Sequence, residues 1–277
     1  MSVEPFHDLH LFSQAVGRSM SVRVVVPPGF QTDPGTLYPV LYFLHPWGLS
    51  PSYLTDKLLI HEHLRRGVQA NAWSPFIIVM PEGGRSFYLN AADPPGHDWS
   101  DILAIYPRFF EGALEQYGRY GDYLLHEVIP TIEERYPVRS DRRGRAIGGI
   151  SMGGAAAAVH GFYQPDLFCA VGIHSPALFS GPWTNGGAPP WIFGLDQESF
   201  ATRNPADVAR QLTPAWQPRI FLDTGQDDPM RAQVEHLHDV LISCGLHHHF
   251  AIAPGGHNKY YWEPHLPSYL AFYAQEW

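Results

Sequence analysis

The sequence predicts an α/β fold, a mostly parallel sheet flanked by helices, on three observations. Short continuous apolar runs at 39–44, 76–80 and 169–173 have strand length and no polar alternation, as strands covered on both faces require. Segments with helical spacing separate them, and the alternation persists over about 230 residues, the pattern of a parallel sheet with crossover helices. Finally, Arg145-Ala146-Ile147-Gly148-Gly149-Ile150-Ser151-Met152-Gly153-Gly154 joins a small-residue apolar run to the alanine-rich run 155–159. That junction fits a tight strand-to-helix turn.

Taken in order, residues 8–14 and 18–26 read as two strands around Gly17, an antiparallel hairpin at one sheet edge that Pro27-Pro28-Gly29 ends. The strand at 39–44 stops at His45-Pro46-Trp47-Gly48, and one helix is expected from 53 to 66. The strand at 76–80 stops at Pro81-Glu82-Gly83-Gly84. A helix is expected over 122–136, with Pro130 as a source of a kink. After the Ser151 junction come a strand at 169–173, a strand at 219–222, a helix at 230–242, a strand at 248–253 and a last helix at 261–275. Residues 85–117 and 176–216 are long, aromatic-rich connections on the reactive side of the sheet, expected to form pocket walls or a partial lid. No linker, repeat or low-complexity tract divides the chain, so 1–277 reads as a single domain.

With 45% hydrophobic and 16% charged residues the chain has the composition of a globular protein. A formal charge of -9 argues against nucleic acid or an anionic membrane as a partner. No basic segment followed by an apolar run opens the chain and no stretch approaches a spanning helix, so the cytoplasm is the expected location. Cys169 and Cys244 are the only cysteines and are expected as free thiols. Oligomeric state leaves no mark in the sequence.

Within the 145–154 stretch, Gly149-Ile150-Ser151-Met152-Gly153 spells G-x-S-x-G. Chance would place that pentapeptide in roughly one such glycine-rich chain in ten, so its context has to carry it. Ligands of open α/β sheets sit at the carboxyl ends of the strands, where Ser151, the cluster Asp223-Thr224-Gly225-Gln226-Asp227-Asp228 and His257 all fall. A serine hydroxyl needs a base, which His257 supplies, and the imidazole needs a carboxylate to fix its tautomer. Asp228 has the spacing for that carboxylate; Asp227 and Asp223 are the alternatives, and the acids of this cluster could also cap the helix near Pro229. A tetrahedral oxyanion needs two N–H donors. The Met152 amide is one candidate and the Trp47 amide the other, with Gly48 in reserve because Pro46 has no N–H. No metal site is expected. His247-His248-His249 would alternate between strand faces, and His61-Glu62-His63 lacks the spacing of a helical zinc pair.

With these residues in place, the chain resembles the putative-esterase family of α/β-hydrolases, which includes feruloyl esterases, esterase D-like S-formylglutathione hydrolases and mycolyltransferases. The resemblance rests on Met80-Pro81-Glu82-Gly83-Gly84-Arg85-Ser86-Phe87-Tyr88, Tyr120-Gly121-Asp122-Tyr123, Glu127-Val128-Ile129-Pro130, the 145–154 stretch, Pro165-Asp166-Leu167-Phe168, Gly255-Gly256-His257, Tyr261-Trp262 and His265-Leu266-Pro267. It implies an α/β-hydrolase fold, a Ser151–Asp228–His257 triad and no cofactor. Family members often carry His-Gly where this chain has His45-Pro46. The expected activity is that of a serine carboxylic ester hydrolase acting through an acyl-Ser151 intermediate on a small-molecule ester. The aromatic-rich loops point to aryl or hydroxycinnamoyl esters. An acyltransferase or a thioesterase with the same triad, and more remotely a non-catalytic binding protein on this fold, are the alternatives.

Overall fold

A turn at Gly17 folds Phe6–Ser13 (β1) back on Arg18–Val25 (β2), pairing Phe6 with Val25 and Ser13 with Arg18. The computed structural model describes residues 4–32, 35–92, 117–182, 187–275 and 277. The other strands are Val40–Leu44 (β3), Ile77–Pro81 (β4), Arg145–Ile150 (β5), Ala170–His174 (β6), Arg219–Gly225 (β7) and His249–Ala253 (β8). They form one eight-stranded sheet in the order β1-β2-β4-β3-β5-β6-β7-β8. The hairpin joins through an antiparallel β2–β4 pairing, and every pairing from β4 to β8 is parallel. This is the α/β-hydrolase fold, with its antiparallel N-terminal hairpin.

Strand residues alternate between two cores. Val40, Tyr42 and Leu44 of β3 join Ile147, Ile173 and Leu222 on one face. Leu41 and Phe43 join Ile78, Ala146 and Ile150 on the other. Each fully buried aliphatic side chain contributes about 1.5–3 kcal/mol. Pro51–Asp56 (α1) and Ile60–Gln69 (α2) help cover the second face with Leu54, Ile60 and Leu64. A composite helix α3 runs through Tyr120–Asp122, Tyr123–Val128 and Ile129–Arg135. Met152–Tyr163 (α4) and Arg231–Ser243 (α5) close the first face, and Lys259–Ala274 (α6) completes the second.

Two expected helices differ from the sequence reading. The helix expected over 53–66 is two helices, because Leu59 takes a left-handed φ of 54° between α1 and α2. The apolar spacing continues across that break, which hides it from periodicity. The kink expected at Pro130 takes the form of a π-helical stretch over Tyr123–Val128. There the Ile129 N–H reaches back five residues to the Leu124 carbonyl, one position before the proline that cannot donate. Of the expected pocket-forming connections, residues 93–116 and 183–186 lie outside the described residues. The rest of 176–216 holds short helices at Pro190–Phe193, Gln197–Ala201 and Pro205–Ala209. Both cysteines are thiols, Cys169 buried with its Sγ 3.6 Å from the Arg143 carbonyl and Cys244 half-buried. Among the described residues no helix is long and apolar enough to cross a membrane.

Candidate active site

Ser151 stands between β5 and α4 with φ 59° and ψ −117°, a conformation that L-residues adopt only where the surroundings impose it. Three backbone bonds do so here. The Ser151 N–H donates to the His174 carbonyl at 2.9 Å, and its own carbonyl accepts from Ala155 at 3.0 Å and Ala177 at 2.9 Å. The turn is also tight sterically. A Cβ on Gly153 would lie 2.1 Å from the Leu44 carbonyl oxygen, so α4 can start this close to β3 only with glycine there.

The carboxyl ends of β7 and β8 bring the other two residues to the serine. His257 Nε2 lies 2.8 Å from Ser151 Oγ, and His257 Nδ1 lies 2.7 Å from Asp228 Oδ2. A carboxylate accepts, so Nδ1 carries the proton and Nε2 is left to accept from the hydroxyl. His257 is held from both sides. Trp262 meets its ring edge-on at 5.2 Å, and the next residue, Asn258, caps α6 by accepting the Tyr260 N–H.

Asp228 is 4% exposed. Burial pushes its carboxyl up, but the His257 hydrogen bond and charge, the Met230 N–H and the Ser175 hydroxyl outweigh that and hold it below its ordinary value. Its Oδ1 accepts the Met230 N–H at 2.9 Å, so the same residue faces the histidine and closes the turn ahead of α5. The competing acids go elsewhere. Asp227 is exposed, and its backbone N–H holds the histidine loop through the Gly255 carbonyl at 2.9 Å. Asp223 lies on β7 and points into the core.

There it forms a cluster that sequence reasoning missed. Asp223 Oδ1 meets His174 Nδ1 at 2.8 Å, while Oδ2 accepts from Tyr261 at 2.9 Å and Tyr269 at 2.7 Å. His174 Nε2 meets Tyr273 Oη at 2.8 Å, and Tyr269 stacks on the imidazole at 3.6 Å. Burial, ahead of the Asp223 hydrogen bond and charge, keeps the His174 imidazole below its ordinary value. Burial and the Asp223 charge push Tyr269 and Tyr273 well above theirs. Ser175 was also missed; its hydroxyl donates to Asp228 Oδ2 at 3.2 Å. These residues come from β6, β7 and α6, so no local motif signals them.

The candidate oxyanion donors stand on two loops. Met152 opens α4, and Trp47 follows β3 as a half-buried residue. Among the described residues neither backbone N–H has an acceptor. Gly48, the reserve donor, is engaged with the Gly84 carbonyl at 3.4 Å. Aromatic rings extend from this loop. Trp47 packs on Phe87 at 5.3 Å, Phe87 on Phe179 at 5.7 Å and on Phe193 at 5.1 Å, and Phe193 on Phe200 at 5.9 Å. Phe87, Phe193 and Phe200 are buried, whereas Trp47 and Phe179 stay half-exposed.

The histidine tract lies apart from this site. His247, His248 and His249 help line a cavity of about 830 Å³ at the amino ends of β7 and β8, the end opposite Ser151. His248 Nε2 meets His238 Nδ1 at 2.7 Å.

The strand order and the Ser–His–Asp geometry are those of an α/β-hydrolase. A family model described as Putative esterase matches residues 13–273, and the chain belongs to that family. An esterase of Mycobacterium tuberculosis (strain ATCC 25618 / H37Rv) is 27% identical over 88% of this chain and 54% of its own length. The chain thus spans about half the length of that relative. Among solved structures, a ferulic acid esterase aligns with a TM-score of 0.80 at 23% identity, covering 98% of both chains. An S-formylglutathione hydrolase from Agrobacterium tumefaciens aligns with a TM-score of 0.76 at 16% identity, covering 98% of this chain and 95% of its own. At these identities the two structures speak to the fold.

Proposed function

We propose that the chain is a serine carboxylic ester hydrolase that acts on a small-molecule ester through an acyl-Ser151 intermediate. The observation that carries this reading is the continuous line from Ser151 Oγ to His257 Nε2 at 2.8 Å and from His257 Nδ1 to Asp228 at 2.7 Å. In the first half-reaction Ser151 Oγ attacks the ester carbonyl as His257 Nε2 takes its proton, and Asp228 stabilises the imidazolium that forms. The Met152 and Trp47 amides receive the oxyanion. Collapse breaks the acyl C–O bond, and the leaving alkoxide takes the proton from Nε2. Water then gives a proton to Nε2 and attacks the acyl carbon, and the second collapse returns that proton to Ser151 Oγ and frees the acid. Every step uses groups of this chain.

For the substrate we propose an aryl or hydroxycinnamoyl ester. Trp47 and Phe179 present half-exposed rings beside the nucleophile turn, backed by buried Phe87 and Phe193. Such a wall favours a flat ring over a short acyl chain. On this reading the described part of 176–216 serves as pocket wall within one hydrolase unit.

The test is hydrolysis of a short p-nitrophenyl ester by wild type and Ser151→Ala. Loss of several orders of magnitude in kcat supports the assignment, and near-normal turnover by the variant overturns it. A fluorophosphonate probe should label wild type and leave Ser151→Ala unlabelled. Methyl ferulate turned over no better than simple acetyl esters would overturn the substrate class alone. Adding an alcohol acceptor and measuring transester product separates hydrolysis from acyl transfer.

A further inference from the structure

We propose that His45 is a positioning residue which, together with the turn from Gly83 to Tyr88, aims both oxyanion donors. This rests on the reading of Trp47 and Met152 given above. His45 is completely buried directly after β3, with Nδ1 2.8 Å from the Pro46 carbonyl oxygen and Nε2 2.9 Å from the Gly83 amide nitrogen. A carbonyl only accepts and an amide N–H only donates. A tautomer protonated on Nδ1 satisfies both contacts, while the Glu82 carboxylate, 3.3 Å from Nε2, takes its own hydrogen bond from the Gly84 N–H at 2.8 Å.

The consequence falls on Trp47. The Pro46 carbonyl and the Trp47 N–H belong to one planar trans peptide, so they point in opposite directions. Proline fixes φ at position 46, which leaves ψ as the torsion that rotates this peptide. The bond from His45 to the Pro46 oxygen holds that torsion. With the oxygen turned toward the buried imidazole, the Trp47 N–H faces away from it, with no acceptor among the described residues. The His-Pro pair therefore does by side-chain bonding and ring closure what a free loop could not do.

The same turn reaches the second donor. The Phe87 N–H contacts Met152 Sδ at 3.3 Å, holding the residue that supplies the other proposed donor. Tyr88 Oη donates to the Pro81 carbonyl at 2.9 Å and accepts the His45 N–H at 3.2 Å, tying β4 to the end of β3. A Cβ on Gly83 would lie 2.3 Å from the Tyr88 ring, so only glycine leaves the ring in place. Phe87 and Tyr88 hold φ values of 55° and 52°, two consecutive side chains in the left-handed region. Backbone strain of this kind persists where the surroundings over-determine it and concentrates at functional sites.

The amide nitrogen of asparagine falls where imidazole Nδ1 lies, and the glutamine amide reaches the Nε2 position. His45→Asn can thus keep the Pro46 bond, and His45→Gln only the Gly83 bond. On the full chain with a p-nitrophenyl ester, His45→Gln and His45→Ala should lose on the order of 10²–10³ in kcat with KM little changed, the signature of a missing oxyanion donor. His45→Asn should stay within about tenfold of wild type, because it preserves the aim of that donor. Affinity for an arylboronic acid, whose tetrahedral adduct mimics the oxyanion, should fall in parallel, while the pH profile of kcat/KM stays in place.

Met152→Leu keeps volume but removes the sulfur acceptor, and should lower kcat about 2- to 10-fold with the same unchanged pH profile. It serves as the second readout if a His45 variant fails to fold. Equal losses in His45→Asn and His45→Gln, or full kcat in folded His45→Gln or in Met152→Leu, would overturn the proposal. Ser151→Ala in the same assay separates the two layers. If it remains active the site assignment is wrong, and if it is dead while folded His45→Gln is normal, only the role of His45 fails.

Discussion

Ser175 donates its hydroxyl to Asp228 at the same oxygen, Oδ2, that faces His257. Its backbone N–H meanwhile donates to the Asp223 carbonyl at 3.0 Å. One residue at the end of β6 thus touches the acid of the proposed triad and the strand that carries it. Ser175→Ala removes a buried hydrogen bond to a charged group. It should cost about 1.5–3 kcal/mol in urea denaturation and lower kcat/KM modestly. A fully stable variant with unchanged kinetics would show that the hydroxyl does nothing for Asp228.

Asp228→Asn keeps the shape of the side chain but can offer its N–H to the imidazole, which turns the tautomer the wrong way round. A loss on the order of 10⁴ in kcat is expected, as for loss of tautomer control in other Ser-His-Asp enzymes. Asp227→Asn, on an exposed side chain, should leave kcat within about twofold because surface substitutions change little. Steady-state kinetics on the two variants decide between the adjacent acids directly.

Stability should fall in two stages as pH drops. Burial depresses the imidazoles of His160 and His174, so below about 6.5 the unfolded chain binds protons that the folded chain does not. Stability from these residues is therefore lost as pH falls from that value toward the folded one. Asp228 also titrates lower when folded than when unfolded. Its contribution is full above about pH 4 and disappears as pH falls through the folded value. Thermal melts from pH 8 to pH 3 should show both slopes, and Asp228→Asn should flatten only the lower one.

Tyr269→Phe leaves the stack on His174 but takes one of three donors from the buried Asp223 carboxylate. A loss of about 1.5–3 kcal/mol is expected for a hydrogen bond to a charged group. Gly153→Ala should also destabilise, because its Cβ would press on backbone at Leu44 rather than on a side chain that could rotate away. Overpacking of this kind costs about 1–3 kcal/mol. Chemical denaturation of both variants checks these values.

What could be read in the sequence was what is local. Ser151 announced itself because the residues on both sides of it, apolar before and small after, define a strand, a turn and a helix within one stretch. Asp228 and His257 followed because each sits just past a recognisable strand. The break at Leu59 was hidden by apolar positions that continue in helical register through it. The Asp223 cluster was hidden for a different reason. Its partners stand at 174, 261, 269 and 273, and only the parallel pairing of β6 with β7 and the path of α6 bring them together. His45 could be seen as a departure from a family pattern, but its bonds to Pro46 and Gly83 depend on how β3 and β4 end side by side.

The distribution of the site along the sheet has a temporal side. Ser151 is complete as a strained turn once β6 has paired beside β5, but Asp228 and His257 arrive only with β7, β8 and the cap of α6. During synthesis a chain that has emerged as far as β6 holds the serine without the base and acid that the proposed acylation requires. On the proposed mechanism, reactivity depends on residues that only the last quarter of the chain supplies, and a chain lacking His257 is expected to be inert toward esters.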